Sequence, residues 1–349
     1  MRNKIIDEDL QNIANEPLEW TKLEGKTVLI SGASGFIPSY IVETILYLNE
    51  IRFDKKVRIL ALVRNPDKAK DKFKHHEGRN DLVLIKQDIS EPFDVDEKID
   101  YIIHAASQAS PKYYGVDPVG TLKANVLGTA YLLELAKKNN VEKFLFFSSG
   151  EVYGVVDNSI TNIDESYTGN VDVTNVRACY GESKRMGENM CVCYSHQYSF
   201  DVNMIRLAHT YGPGISLDDG RVFGDFVRDV INNNNIILNS DGSAKRSFCY
   251  ITDMIIAFFI VLFKGKSEQA YNIASPVETS ILELANLLVG LYPQKGLKVE
   301  FAQGVFKEGY IKSQSSRASF STKKLQALGW QMKTDIKTGF ERMIRSYDE

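Results

Sequence analysis

Cysteine is scarce in this sequence. Its four cysteines, Cys179, Cys191, Cys193 and Cys249, contain neither a CxxC pair nor the spacing of a zinc site. We therefore predict reduced thiols, no metal site and a cytoplasmic protein. The segment of residues 1–23 is polar and acidic and does not resemble a signal peptide, which favours the same compartment.

A strong charge of one sign and a long hydrophobic run are also missing. The 42 basic and 45 acidic residues give a net charge of -3, whereas nucleic-acid-binding proteins show a clustered basic excess. No apolar run approaches the roughly 18 residues of a membrane span, and the longest, Met254–Phe263, is typical of a buried helix. We expect a globular protein that binds neither nucleic acid nor membrane.

Short β-branched runs alternate with helical stretches from residue 26 onward, which is typical of repeated βαβ units. The runs are almost continuously apolar, as expected for parallel strands covered on both faces. We predict strands over Thr27–Ser31, Val57–Val63, Leu82–Ile85, Tyr101–Ala105 and Phe144–Ser149, and helices over Ile37–Leu48 and Pro118–Lys138. The predicted fold is α/β, a doubly wound parallel (Rossmann) sheet followed by a smaller C-terminal α/β lobe.

A glycine motif follows the first predicted strand and opens a helix. In this context, backbone N–H groups and the helix dipole bind the pyrophosphate of a dinucleotide. The motif assigns Gly32, Ser34, Gly35, Phe36 and Ile37 to the cofactor site. The usual third glycine is replaced by Pro38, which we expect to cause local repacking only, because a first helical turn does not need that N–H.

The ends of the next strands complete the cofactor site. NAD-binding proteins place an acidic residue after the second strand, but this chain has Arg64, which suits the 2′-phosphate of NADP or stacking on the adenine of NAD. Asp88 and Ile89 are predicted to meet the adenine edge. The residues after His104 are predicted to face the pyrophosphate and the nicotinamide ribose; they are Ala105, Ala106 and Ser107. His104 itself is interpreted as a structural residue.

Tyr180 and Lys184 stand four residues apart, so that they share one face of a helix. An ammonium beside a phenol stabilises the phenolate, which predicts a base for hydride-transfer chemistry. An isolated pair of this kind is usually a surface feature, but here the glycine motif and Ser148-Ser149-Gly150-Glu151 precede it in the expected order. Ser149 would bind the substrate hydroxyl, and Glu151 would act as a general acid/base.

Several longer stretches carry a family resemblance. Beside the motifs above, Arg206-x-x-His209-Thr210-Tyr211-Gly212-Pro213 and Arg246-x-Phe248-x-Tyr250 resemble the extended short-chain dehydrogenase/reductases that modify nucleotide sugars, over about Gly25 to Trp330. Within that superfamily the chain is most similar to the UDP-glucuronate decarboxylase (UDP-xylose synthase) family. That similarity is carried by Ala106–Pro111, Arg177–Tyr180, Lys184-Arg185 and Asp219–Val222.

The resemblance implies a tightly bound NAD(P)+, a nucleotide-sugar substrate and a homodimer. Lys184 would bridge the nicotinamide ribose hydroxyls. Substrate contacts are implied for Gln108, Tyr113, Arg177, His209, Arg221, Arg246 and Arg317. Arg246 and Arg317 would hold the diphosphate, for which guanidinium groups are suited. His209 departs from the family, which generally has Asn there, and Gly150 departs from its usual serine.

The resemblance also divides the chain and its chemistry. We predict an N-terminal extension over 1–24 containing a short helix, an NAD(P)-binding domain over 25–205, and a nucleotide-sugar lobe drawn mainly from 206–349. Oxidation at C4 of the sugar would lead to decarboxylation of UDP-glucuronate. The alternatives are 4,6-dehydration of a nucleotide hexose, epimerisation or 4-keto reduction, and a non-catalytic NAD(P)-binding sensor.

Overall fold

The computed structural model describes residues 3–157, 159–218, 220–302 and 319–348. The strands in these ranges are β1 (Thr27–Ser31), β2 (Arg58–Val63), β3 (Leu82–Lys86), β4 (Tyr101–His104), β5 (Lys143–Ser149), β6 (Asp201–Leu207), β7 (His209–Tyr211), β8 (Ile236–Leu238), β9 (Lys245–Tyr250), β10 (Gln269–Ile273), β11 (Glu278–Ser280) and β12 (Val299–Phe301).

The α-helices are α1 (Lys4–Ala14), α2 (Phe36–Ile51), α3 (Pro66–Lys72), α4 (Lys112–Val116), α5 (Pro118–Asn139), α6 (Ala178–Tyr198), α7 (Val222–Ile231), α8 (Ile251–Lys264), α9 (Ile281–Leu291), α10 (Lys323–Gln326) and α11 (Ile336–Arg345). Short 3-10 turns cover Trp20–Leu23, Lys74–His76, Gly150–Tyr153 and Pro293–Lys295. Within the described residues, no helix is both long and apolar enough to cross a membrane.

Seven parallel strands form the main sheet in the order β3-β2-β1-β4-β5-β6-β10. The chain moves outward from β1 to β3, then crosses back and continues outward from β4. The doubly wound fold predicted from the sequence is therefore confirmed. In such sheets a crevice opens at the carboxyl ends of the two strands where the order reverses, here β1 and β4.

Both faces of this sheet are buried, which explains its continuous apolar runs. Along β5, Phe144 and Phe146 pack into one core, and Leu145 and Phe147 pack into the other. The first core includes apolar residues of α5 and α6, and the second includes residues of α1, α2 and α8. Alternate strand residues point to opposite faces, so a strand between two helix layers has no polar side.

The second lobe contains two small sheets, β11-β9-β7 and β12-β8, together with helices such as α7 and α9. The main sheet also takes its last strand, β10, from this part of the chain, and β6 crosses the predicted boundary after residue 205. The region 206–349 is thus shared between both lobes. The assignment of the chain's parts to cofactor and substrate stays a prediction.

The N-terminal extension forms the predicted short helix, α1. Asn3 caps it by accepting from the N–H groups of Ile5 and Ile6. Its buried face carries one charged residue, Asp9, whose Oδ1 accepts from Arg342 Nη2 at 2.7 Å. The Tyr250 hydroxyl donates to Oδ2 of Asp9 at 2.9 Å. This buried carboxylate therefore ties the first helix of the chain to the last.

We expect Asp9→Asn to remove a pH dependence of stability. Burial raises the pKa of Asp9 from 3.8 to about 6, although Arg342 opposes the rise. The folded chain thus binds the proton more tightly than the unfolded chain, so the stability contributed by this group falls as pH rises through about 6. Urea unfolding at about pH 5 and about pH 7 should show a smaller difference in the variant.

Asp7→Asn, on the exposed face of the same helix, is the matched control. It should keep the pH dependence of the wild type. A wild-type difference in Asp9→Asn would show that Asp9 does not titrate in this range.

Candidate functional site

The glycine turn after β1 leaves space for close contact with a ligand. Gly32 has φ +67°, and a Cβ added there would lie 2.8 Å from the Cα of Ala106. Any side chain would therefore collide with backbone. Gly35 precedes α2 and supplies no side-chain cap, so the N–H groups of Phe36 and Ile37 have no partner inside the helix. Such donors suit a diphosphate.

Pro38 fits into this turn without disturbing it. It is the third residue of α2 and is buried. A Cβ added to Gly35 would lie 3.1 Å from both Pro38 Cγ and the carbonyl oxygen of Gly32, so the turn is tight here. Ser34 lies half-buried between the two glycines. The helix is regular despite the proline, as expected for a first-turn position.

A hydroxyl at the end of β1 organises the crevice beside it. Ser31 Oγ accepts from the N–H groups of Ala105 and Ala106, each at 3.1 Å. Its own proton is therefore directed to Nδ1 of His104, 2.9 Å away. This assigns the remaining proton of His104 to Nε2, which lies 3.0 Å from Thr129 Oγ1. His104 is fully buried and has both nitrogens bonded, in agreement with a structural role.

Tyr180 lies in the first turn of α6, only 7% exposed. The pKa of its phenol is raised to about 12, mainly by burial and also by the Glu151 carboxylate. The side chains of Ser149, Arg221 and Ser107 act in the opposite direction and lower this pKa. The Glu151 N–H donates to Ser149 Oγ at 3.2 Å, so the proton of that hydroxyl remains for another partner. The predicted residues Ser149 and Tyr180 are thus brought together.

Lys184 is almost completely buried one helical turn after Tyr180. Its Nζ donates to the carbonyl oxygen of Phe147 at 2.7 Å and lies 5.8 Å from the centre of the Tyr180 ring. Burial lowers the pKa of Lys184 to about 7, and Glu188 is the main group that raises it. The sequence predicted that Lys184 would lower the pKa of the phenol. In the structure the pKa of Tyr180 is raised instead, because loss of hydration dominates at both groups.

An arginine and a second tyrosine border the phenol. Arg177 Nη2 lies 3.5 Å from Glu151 Oε1, and its Nη1 is buried with no hydrogen-bond partner among the described residues. The guanidinium lies 5.6 Å from the centre of the Tyr114 ring. That ring stacks on Tyr180 with centroids 5.0 Å apart and an interplanar angle of 16°. The predicted carboxylate and arginine are therefore neighbours.

Tyr114 was missed by the sequence analysis, which selected its neighbour. Tyr113 lies half-exposed on α4 with the Lys112 ammonium 5.2 Å from its ring centre. Tyr114 is buried, and its hydroxyl donates to the carbonyl oxygen of Ala109. The signal available in the sequence was the Tyr-Tyr pair itself, because consecutive residues of a helix face different directions.

Three predicted substrate residues from the second lobe lie close together. His209 begins β7 and pairs with Phe248 of β9, the strand that carries Arg246. Arg221 is the residue before α7. Burial, Arg246 and Arg221 together lower the pKa of His209 to about 3. The imidazole is therefore neutral at pH 7, with one N–H donor and one acceptor beside two guanidinium groups.

At the far end of the crevice, Arg64 is exposed at the end of β2. The pKa of Asp88 is lowered by Ser90 and also by the charge of Arg64. The pKa of Asp117 is lowered by the Gln108 side chain and, more weakly, by Arg64. Arg64 is thus within electrostatic reach of two carboxylates, although the usual acidic residue is missing from its own strand.

Three further residues were predicted to contact the cofactor or the substrate, and they lie in different surroundings. Ile89 is buried against the position of Gly128 in α5. Gln108 donates from Nε2 to Asp117, and its Oε1 accepts from Thr121, so its amide holds the loop onto α5. Arg317 lies outside the described residues. Their roles remain predictions.

The structure accounts for the glycine before Glu151. A Cβ added to Gly150 would lie 2.5 Å from Cζ of Phe320. The Phe320 ring also packs against Tyr153 with centroids 5.7 Å apart. The aromatic ring fills the space that a serine or aspartate side chain at residue 150 would need.

A buried ion pair supports the reacting residues, and the sequence analysis did not find it. Arg206 binds Glu188 through two hydrogen bonds, Nε to Oε1 at 2.9 Å and Nη2 to Oε2 at 2.7 Å. Ser148, next to Ser149, also donates to Glu188 Oε1. Glu188 stands four residues after Lys184 on α6, a spacing that could have suggested an interaction between these two residues but not the pairing with Arg206.

The residues described fit a dinucleotide. The turn at Gly32 admits no side chain, and the first turn of α2 presents backbone donors. Backbone N–H groups at a helix start are suited to the diphosphate of such a cofactor. These features line one crevice at the carboxyl ends of β1 and β4.

Known proteins are similar in sequence to this chain over most of its length. The chain is 32% identical over 320 residues to UDP-glucuronic acid decarboxylase 5 of Arabidopsis thaliana, covering 92% of this chain and 89% of that protein. It is 29% identical over 322 residues to UDP-glucuronic acid decarboxylase 1 of Danio rerio, covering 92% and 72%.

Solved structures share the fold. UDP-glucuronic acid 4-epimerase from Bacillus cereus, in complex with UDP-glucuronic acid and NAD, superposes with a TM-score of 0.77 at 20% identity, covering 92% of this chain and 99% of that one. For dTDP-glucose 4,6-dehydratase from Bacillus anthracis in complex with NAD, the TM-score is 0.74 at 20% identity, with 93% and 96% covered.

Residues 28–274 match the family described as the NAD dependent epimerase/dehydratase family. This range contains the glycine turn, Ser149, Tyr180 and Lys184. The family resemblance inferred from the motifs is thereby confirmed, and with it the dinucleotide cofactor at the level of NAD(P). The chain is a member of the NAD dependent epimerase/dehydratase family.

Proposed function

We propose that this protein converts UDP-glucuronate to a UDP-pentose and CO2 by transient oxidation of C4. The observation that carries this proposal is Arg177, whose buried Nη1 has no partner among the described residues while Nη2 lies beside Glu151. A guanidinium binds a carboxylate through two parallel N–H groups. The C6 carboxylate of a uronic acid suits that donor, and the relatives named above are decarboxylases of the same substrate.

The reacting residues have separate tasks. Tyr180 takes the proton of the C4 hydroxyl, and Ser149 orients that hydroxyl with its unused proton. The chemistry that bound NAD(P)+ supplies is reversible acceptance of a hydride from C4. A ketone at C4 makes the C6 carboxylate a β-keto acid, so the C5–C6 bond breaks with its electron pair delocalised onto the C4 oxygen. Glu151, as a general acid/base, would deliver the proton that C5 takes up after CO2 has left.

The diphosphate is assigned to the second lobe. Arg221 and Arg246 supply charge, and neutral His209 near them supplies an N–H donor without adding a third charge. The family generally has Asn at the position of His209, and an amide also donates an uncharged N–H. The substitution therefore keeps the donor and changes its reach. Arg317 would add to this set as predicted from the sequence.

The second candidate is 4,6-dehydration of a nucleotide hexose. One structural neighbour is such a dehydratase by name, and Glu151 could assist water loss alone. The dTDP-glucose type of enzyme uses an Asp-Glu pair, however, and Phe320 fills the space beside Gly150 where the Asp would stand. A neutral hexose would also leave the Arg177 donor unmatched. Epimerisation and 4-keto reduction remain further alternatives, and a non-catalytic sensor would not need Tyr180 with Lys184.

Incubation of the purified protein with UDP-glucuronate, UDP-glucose and dTDP-glucose tests the reaction. We expect only the uronate to react, with a product lighter by one CO2 in mass spectrometry. Tyr180→Phe should lower the rate by at least about 10²-fold, because general base catalysis contributes about 10²–10⁴-fold. Loss of one water from a neutral hexose, with no reaction of the uronate, would establish the dehydratase instead.

We propose NAD as the cofactor, with Arg64 as a residue that contacts the adenosine. Asp88 and Asp117 already place carboxylates around Arg64, so a 2′-phosphate would face negative charge there. Denaturing the protein and identifying the released dinucleotide is the test. Recovery of NADP would assign Arg64 to a 2′-phosphate and contradict the proposal. NAD binding should weaken little in Arg64→Gln.

We also propose a homodimer in which α5 and α6 pair with their counterparts. Leu122 and Leu127 on α5 and Met186 on α6 are exposed apolar residues on these two adjacent helices. Leu135 lies on the same helix as Leu127, but it is buried in the sheet core and does not belong to this exposed surface.

The four free thiols favour the cytoplasm as the compartment.

Sedimentation at micromolar concentration should give a dimer, and Leu127→Glu should shift it toward monomer. A wild-type monomer would contradict this interface.

A further inference from the structure

A cluster of two imidazoles and one carboxylate lies outside the crevice. His75 and His76 belong to the 3-10 turn Lys74–His76, and Glu43 lies on α2. His75 Nε2 lies 2.9 Å from Glu43 Oε1, and His76 Nε2 lies 2.9 Å from Glu43 Oε2. The two rings are tilted with centroids 4.2 Å apart. Consecutive histidines thus present the same nitrogen to one carboxylate.

The donor set and its spacing suit a transition metal. Two imidazole nitrogens and one carboxylate oxygen are ligands that Zn²⁺ takes in proteins. One such atom from each residue lies within 4.8 Å of the others. Tetrahedral zinc with bonds of about 2.0–2.1 Å keeps its ligand atoms roughly 3.3 Å apart. The ion would take one oxygen of Glu43, and the 2.9 Å distance from that oxygen to its histidine nitrogen would open by only a few tenths of an ångström. The remaining ligand atom lies within 4.8 Å of both.

The cluster is largely buried, but one side of it remains accessible to solvent. The Glu43 and His76 side chains are 9% and 2% exposed, and the His75 side chain is 17% exposed. Water can reach the His75 side and supply a fourth ligand. Imidazole ligands favour zinc and related ions over Mg²⁺ and Ca²⁺, which prefer oxygen.

Two lysines oppose a cation here. Lys72 is half-buried at the end of α3 and interacts electrostatically with Glu43, and Lys68 lies near Lys72. A metal ion must therefore bind against their charge. The affinity should rise when the nearer of the two charges is removed.

The geometry points to a binding site for one divalent transition-metal ion, Zn²⁺ by its ligand chemistry, formed by Glu43, His75 and His76. The ion would join α2, which begins at the glycine turn, to the segment that follows Arg64. It would thus fix the backbone on both sides of the adenosine end of the crevice. The site is separate from the reacting residues and does not depend on the proposed reaction.

Calorimetric titration with Zn²⁺ in a buffer that does not bind metal tests the site. The background should carry Cys193→Ser, because exposed Cys193 and His196 stand three residues apart on α6 and could bind zinc adventitiously. We expect one ion per chain. His75→Gln should weaken binding by more than about tenfold, since loss of a mere supporting residue already costs about 10–100-fold. His196→Gln is the matched control and should bind as the background does.

Visible absorption of bound Co²⁺ is a second measurement that needs no substitution at the site, so that a loss of stability in a variant does not affect it. Co²⁺ added to the otherwise unaltered background should produce the intense visible absorption of a tetrahedral site, and Zn²⁺ should abolish it by displacement. Lys72→Met should bind Zn²⁺ more tightly than the background. Absence of both the heat of Zn²⁺ binding and the Co²⁺ spectrum would overturn the proposal. So would full-strength zinc binding in a folded His75→Gln His76→Gln double variant.

Discussion

The hydroxyl of Ser31 holds the crevice in its shape. It accepts from two backbone N–H groups after β4 and donates to the ring of His104, so three bonds join the ends of neighbouring strands. His104 continues the connection to Thr129 on α5. The close approach of Gly32 to Ala106 depends on this arrangement, because the two strand ends must meet with no side chain between them. A buried polar network of this kind rigidifies its surroundings when every member is satisfied.

Burial and charge act in opposite directions at the reacting centre. Loss of hydration raises the pKa of Tyr180 and lowers the pKa of Lys184, so each group on its own favours its neutral form. Glu188 counteracts this at Lys184, and hydrogen bonds from Arg206 and Ser148 hold the Glu188 carboxylate in place. Ser149 and Arg221 likewise counteract burial at Tyr180, because both lower the pKa of its phenol. The site is therefore built to hold charge where the protein interior disfavours it.

The two departures from the family pattern have different physical characters. Gly150 is a packing exchange, since the Phe320 ring takes the volume that a side chain would occupy and seals the wall beside Glu151. The exchange to His209 is electrostatic, because a buried imidazole near Arg246 and Arg221 has a lowered pKa, stays neutral and behaves as a hydrogen-bonding group. Neither change removes a reacting residue. Both alter the walls against which the sugar and its diphosphate would lie.

The sequence by itself determined five of the seven strands of the main sheet and the order of the motifs. Apolar runs predicted these five strands to within one residue at each end, because a strand covered on both faces can carry few polar side chains. Asp117 and Pro118 marked the start of α5, since a helix start has local chemical requirements. Spacing along one helix also placed Tyr180 beside Lys184.

Only the tertiary structure decided contacts between residues distant in sequence. Ser31 with His104, Glu188 with Arg206, Gly150 with Phe320, and Glu43 with the two adjacent histidines are such pairs, and no periodicity encodes them. The stacking of Tyr114 on Tyr180 depended on how α4 packs against α6. The pKa values of Tyr180 and Lys184 were equally beyond the sequence, because they follow from burial, and burial is a property of the assembled fold.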